Sequence, residues 1–165
     1  MRVHSFDLTM RHRPEVEEIK QAVGNPAEYS QVVFCGFGES TLRLDVLLEV
    51  SEWVKLHGGS TRLNTDGLAN LVHGRNVLPE MESKIDALSV SLNAQEEGLY
   101  NRLCQPRLSG SYGAMIDFLK EAPRYVSDVT ATAIEGLTGV DIDACRRLAE
   151  KLRVQFRPRA LDVVG

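Results

Sequence analysis

The chain has few cysteines, few aromatic residues and no excess of positive charge. Its three cysteines, Cys35, Cys104 and Cys145, stand far apart, and no Cys-x-x-Cys pair occurs. That argues against a disulfide framework and fits a reducing, cytoplasmic setting, with buried, inert thiols as the expected state of all three. No apolar run approaches the roughly 20 residues of a bilayer span, and Met1-Arg2-Val3-His4-Ser5 does not open as a signal peptide. A formal net charge of -4 leaves no basic footprint for nucleic acid or an anionic membrane. The histidines His4, His12, His57 and His73 share no metal-ligand spacing. Linkers, repeats and low-complexity tracts are missing too, so residues 1–165 are expected to form a single domain.

What is present is an alternation of short apolar runs with helical patterns. Val32 to Cys35, Thr61 to Asn64, Asp86 to Leu92, Val129 to Ile134 and Arg153 to Phe156 are the expected strands. Helices are expected near residues 14–23, 44–57, 111–121 and 142–152. The first opens on Pro14 and Glu15. The second carries Leu44, Leu47, Leu48 and Trp53. The last is capped by Asp141, with Ile142, Cys145, Leu148, Ala149 and Leu152 on one face. Repeated β-α units imply a parallel sheet with its strand C-termini on one side. Periodicity alone leaves two forms open, a doubly wound sheet and part of a barrel.

Every strand end but the last runs into a polar or glycine-rich segment: Gly36 to Ser40, Asn64 to Gly67, Ser91 to Gln95, and Glu135 to Gly139. Together they suggest one polar rim. In the first, Gly36 and Gly38 let backbone approach a ligand closely, and Glu39 is placed to accept hydrogen bonds from an amine. Plainer roles stay open as well. Asp66-Gly67 suits a turn, and Asn64 and Asn93 suit helix caps or Asx turns. Arg102 and Arg107 flank the Cys104-Gln105-Pro106 turn, where they could reach an anionic group but better suit a solvated face, as do Arg153, Arg157 and Arg159 near the last strand. Tyr112, Phe118 and Tyr125 suit helix packing.

Three of these strand ends resemble radical S-adenosylmethionine enzymes. Val33-Phe34-Cys35-Gly36-Phe37-Gly38-Glu39-Ser40-Thr41-Leu42 is similar to their Gly-Gly-Glu-Pro element. Leu63-Asn64-Thr65-Asp66-Gly67 is similar to the Thr-Asn-Gly strand end, and Ser89-Val90-Ser91-Leu92-Asn93-Ala94 to the Ser-Leu-Asp/Asn strand end. Order and spacing agree over residues 5–157, and the TatD-linked branch of the family offers the nearest likeness. The resemblance implies a partial (β/α) TIM-like barrel of five to six parallel strands with helices on its outer face. It also implies S-adenosylmethionine as cofactor, with Glu39 on its amino group, Gly36 and Gly38 making room, and Ser91 and Asn93 on its ribose or methionine end. Thr65 and Asp66 would line the same cavity. The family's chemistry is reductive cleavage of the cofactor to a 5′-deoxyadenosyl radical, acting on a small-molecule substrate.

The departures are specific. The family's Cys-x-x-x-Cys-x-x-Cys loop, which holds a 4Fe–4S cluster, does not occur. Phe37 stands where the family has Gly, and could crowd the backbone; Ser40 stands where it has Pro. The expectation is therefore the C-terminal portion of such an enzyme, with no cluster bound by this chain. The alternative is a non-redox nucleoside-binding module that keeps the half-barrel. A phosphosugar aldolase or isomerase ranks last, because the expected strands carry no Lys. No catalytic residue is assigned. An exposed sheet edge suggests a homodimer.

Overall fold

The structure, a computed structural model, describes residues 2–3, 6–7, 12–36 and 38–161. Phe37 lies outside the described residues, and so does any crowding it would cause. A short antiparallel pair, β1 (Arg2–Val3) and β2 (Phe6–Asp7), precedes the main body. The body is a five-stranded parallel sheet of β3 (Val32–Phe34), β4 (Thr61–Thr65), β5 (Ala87–Ser91), β6 (Asp128–Glu135) and β7 (Gln155–Ala160). The strands lie side by side in chain order with no reversal. That settles the two open forms in favour of the partial barrel, since a doubly wound sheet reverses at a switch point.

Register separates the two faces. Leu63, Leu88 and Val129 stand side by side, as do Thr65, Val90 and Ala131. These residues join a single buried core with α2 (Leu44–Leu56), α6 (Ser111–Glu121) and α7 (Ile142–Lys151). Met115, Phe118 and Leu119 of α6 are wholly buried there. Each such side chain contributes about 2 kcal/mol by leaving water. The alternate residues face the other way and are mostly small and polar: Asn64, Ser89 and Thr130 in one row, Ser91 and Thr132 in the next. A parallel sheet covered on both faces reads as continuous apolar runs. Here the alternation marks a sheet with helices on one face and a polar concave face on the other.

Local chemistry explains where the expected boundaries moved. The last strand begins at Gln155, not Arg153, because Arg153 takes a left-handed conformation (φ 60°) that ends α7. The backbone N–H groups of Arg153 and Val154 donate back to Glu150 and Ala149. Asp141 caps α7 as expected, accepting from the Ala144 N–H at 2.9 Å. The face that α2 buries is Leu44, Leu47, Val50, Ser51 and Val54; Trp53 sits beside it, tilted against His57. The first expected helix, α1 (Val16–Val23), buries no residue fully and packs on α2 instead of on the sheet. The crossover from β4 to β5 carries two short helices without sequence warning, α3 (Ala69–His73) and α4 (Leu78–Met81). A further helix, α5 (Glu97–Cys104), follows β5.

Candidate functional site

The three N-terminal strand ends meet around Glu39. Its Oε1 accepts from the Thr41 N–H at 3.2 Å, the Thr41 hydroxyl at 2.8 Å and the Thr65 hydroxyl at 2.8 Å. Its Oε2 accepts from the Asp66 N–H at 2.9 Å. The Thr65 hydroxyl in turn accepts from the Gly67 N–H at 3.1 Å. Glu39 thus pins the β3 loop to the end of β4. Three of the four donors to Glu39 fall on Oε1, so Oε2 keeps one acceptor site beside the Asp66 N–H for a cation, together with the charge.

Asp66 shares that charge. Its Oδ1 accepts from the Leu68 N–H at 2.9 Å, which fixes the turn. Burial pushes its carboxyl above the ordinary aspartate value, and the neighbouring Glu39 carboxylate pushes it further the same way. Among the described residues, neither Glu39 nor Asp66 has a Lys, Arg or His within ion-pair distance. Gly67 holds the turn against the core: at φ 78°, a Cβ there would meet Val90 Cγ1 at 2.9 Å.

Two clefts open on this pair. One, of about 410 Å³, is lined by Cys35, Gly36, Gly38, Glu39, Asn64, Thr65, Asp66 and Ser91. The other, of about 420 Å³, shares Glu39, Asp66 and Ser91 and extends past Asn93, Tyr100 and Cys104 to the segment Gln105 to Leu108. All seven expected site residues are therefore brought together, with Thr65, Gly36 and Gly38 on the first cleft and Asn93 on the second. Gly38 adopts φ 115°, which favours glycine, and a Cβ at Gly36 or Gly38 would meet nothing within 4 Å. Open space therefore surrounds the loop on its cleft side.

Asn93 is strained and half-satisfied. It takes φ 60°, its backbone N–H donates to Thr132 O at 3.0 Å, and its Nδ2 donates to Cys104 Sγ at 3.3 Å. Its Oδ1 is buried with no partner. Tyr100 beside it is pushed up to about 12 by burial, then by Cys104 and Asp66, so its phenol is a neutral donor at ordinary pH.

Two expectations fail. The fourth strand end, Glu135 to Gly139, does not line these clefts. Gln95 ties it elsewhere: its Nε2 donates to Gly139 O at 2.9 Å, and its Oε1 accepts from the Asp141 N–H at 3.2 Å. The thiols are not uniformly buried either. Cys145 is buried, Cys104 half-buried and Cys35 exposed. Cys35 continues the alternation of β3 onto the concave face, which opens into the cleft. In the Gln105 to Leu108 wall, the one ligand-binding signal in sequence is Arg107, which could reach an anionic group. A left-handed residue at Gln105 (φ 45°) turns the chain there.

This fold and site define a class, a partial β/α barrel with a polar, carboxylate-bearing cleft at the strand C-termini. A solved structure of TYW1 with a lysine-pyruvate adduct bound shares the fold, with a TM-score of 0.65 and 20% identity over 90% of this chain. The match covers 46% of that chain, so this sequence spans about half the length of the TYW1 chain it matches. At 20% identity the likeness is one of fold alone. It lends no support to the TatD-linked branch. No family model matches the sequence. No curated protein matches it either.

Proposed function

We propose that this chain is a radical S-adenosylmethionine-type half-barrel that binds the cofactor's amino-acid end at Glu39 and Asp66. The observation that carries the reading is a pair of adjacent carboxylates with no cation paired to them among the described residues, one of them desolvated, on an open cleft at the strand ends. An α-ammonium group supplies the missing charge. Asp66 takes its hydrogen bonds, Glu39 lends its field, Gly36 and Gly38 leave room, and Ser91 and Asn93 Oδ1 accept from ribose hydroxyls. Bound there, S-adenosylmethionine would supply a sulfonium that the family cleaves reductively.

The cluster is a different matter. Among the described residues, no three His, Cys, Asp or Glu side chains come together as a metal site. The described residues do not fit a 4Fe–4S cluster. A binding module without redox chemistry is the second reading, favoured by that dispersal of Cys35, Cys104 and Cys145. Kinship with the TatD-linked branch rests on the sequence segments alone.

Calorimetry with S-adenosylhomocysteine and methylthioadenosine tests the site. The first carries the amino-acid end and the second lacks it. Tighter binding of S-adenosylhomocysteine by about tenfold or more is expected, as one charge-assisted contact gives. Equal affinities would remove the carboxylate pair from the site.

The expected homodimer is proposed through the β3 edge. Val33 there is 44% exposed, whereas β7 is blunted by Pro158 and by Arg157 and Arg159. Light scattering at rising concentration should show the dimer, and a monomer throughout would refute it.

A further inference from the structure

The concave face of the sheet carries two arginines that lie across its strands, and among the described residues only one of them has an anion. Arg62 starts on β4 and reaches over β5 to β6, where its Nη2 meets Asp128 Oδ2 at 3.1 Å. Its Nε donates to Gln31 Oε1 at 2.6 Å. Arg157 makes the reverse crossing, starting two rows higher on the same face. It starts on β7 level with Thr132 and reaches over β6 to β5, where its Nη2 meets Ser89 Oγ at 3.4 Å. That hydroxyl is its only protein side-chain partner among the described residues, and no carboxylate pairs with it. Its neighbour on the same face, Arg159, stands level with Ile134 and is exposed.

The face beneath is built of small polar residues. Ser89, Thr130 and Thr132 are buried, and Ala87 lies below them. In a closed barrel, layers of bulky branched side chains fill this space. Among the described residues no such layer stands on β5 and β6 over Ser89, Thr130 and Thr132, and the side chain that lies over Ser89 is the exposed Arg157. The strand-end cleft adjoins this face, because Asn64 and Ser91 line that cleft and belong to the face. Ser91, Thr132 and Arg157 form one row on adjacent strands. At about 4.8 Å per strand, Arg157 lies roughly 10 Å from Ser91. Negative charge therefore stands at the β3–β4 end of the row and positive charge at the β7 end.

We propose that Arg157, with the hydroxyl of Ser89, binds the oxyanion of a carboxylate- or phosphate-bearing small molecule on the concave face, beside the cleft at Glu39 and Asp66. A planar guanidinium with five donors, exposed and resting on a hydroxyl, suits two parallel bonds to an oxyanion. The anion takes the place that Asp128 fills for Arg62. The role as substrate rests on the function proposed above; the binding of the anion does not.

The test is a titration of isotope-labelled protein with inorganic phosphate and, separately, malonate, at constant ionic strength held with sodium chloride. The Arg157 Nε–H and Thr132 amide resonances are followed, and S-adenosylhomocysteine binding is measured on the same sample. One of the two anions should shift both resonances saturably below about 50 mM, and its identity assigns phosphate or carboxylate. Arg157→Gln should abolish the Thr132 shift, Arg157→Lys should weaken binding by about tenfold, and Arg159→Gln should leave it within about twofold. No saturable shift from either anion, or a shift that survives in Arg157→Gln, overturns the proposal. A response to anion without S-adenosylhomocysteine binding leaves this inference standing and sinks the cofactor reading; the opposite result does the reverse.

Discussion

The two ends of the sheet use carboxylates in opposite ways. At the N-terminal end, Asp86 is a tie. Its Oδ1 accepts from Lys55 Nζ at 2.5 Å, and its Oδ2 from the Thr61 N–H at 2.8 Å and the Ser60 hydroxyl at 3.1 Å. Burial opposes its charge, but the Lys55 ammonium and the Thr61 N–H outweigh burial and hold its carboxyl below the ordinary aspartate value. At the C-terminal end, Asp66 is raised by burial and by Glu39, with no cation among the described residues to offset either. The first arrangement fastens α2 and β4 to β5. The second holds charge ready at the cost of stability, as functional sites do.

Substitutions at the two ends should therefore separate stability from binding. Glu39→Ala removes the acceptor of four hydrogen bonds and strands the Thr65 hydroxyl and the Asp66 N–H. Denaturant unfolding should show a loss of about 3 kcal/mol, and nucleoside binding should fall with it. Asp86→Ala should cost less, about 1–2 kcal/mol after screening of the half-exposed Lys55 pair, and leave S-adenosylhomocysteine affinity unchanged. Weakened affinity there would break the division between the two ends.

Asp66→Asn should do what neither of those does. Asn keeps the acceptor for the Leu68 N–H while removing the like charge beside Glu39. Stability should rise by about 0.5 kcal/mol at neutral pH while affinity for the amino-acid end falls. The pH dependences also oppose each other. Asp86, lowered in the fold, contributes stability that is present above its unfolded value of about 3.9 and is lost as pH falls through the folded one. Asp66, raised in the fold, binds its proton more tightly folded than unfolded. Its penalty therefore grows as pH rises from about 3.9 through the raised value, and is full above it. Wild type minus Asp66→Asn stability should become more negative across that window, and a flat difference would contradict the desolvated pair.

The smallest effect concerns the thiols. Cys145, pushed up to about 11 by burial and then by Asp141, should resist a disulfide reagent in the native state, while Cys35 reacts at once. Simultaneous reaction of all three would show that the α7 face is not packed.

The sequence made the order of elements readable because each strand is a short β-branched or apolar run ended by a glycine or polar turn. The seven candidate residues sit on those ends, and chain order alone places them near one another. Three features were not readable in that way. Asn93 looks like an Asx turn in sequence, and only the folded chain shows its Oδ1 buried beside Cys104 without a partner. Glu39 reads as a free acceptor, yet Thr41, Thr65 and Asp66 donate to it, a consequence of the distance in space between β3 and β4. Arg157 reads as a solvent-facing residue. Its crossing to Ser89, 68 positions away in sequence, depends on strand register that no local pattern encodes.

The carboxyl carbon resonance of Asp66, followed against pH with and without saturating S-adenosylhomocysteine, tests the central claim most directly. Free protein should titrate above the ordinary aspartate value of about 3.9, and the ligand's ammonium should bring the midpoint down. A midpoint at or below 3.9 in the free protein, or one that the bound ligand leaves unmoved, would contradict a cleft built around an unpaired carboxylate.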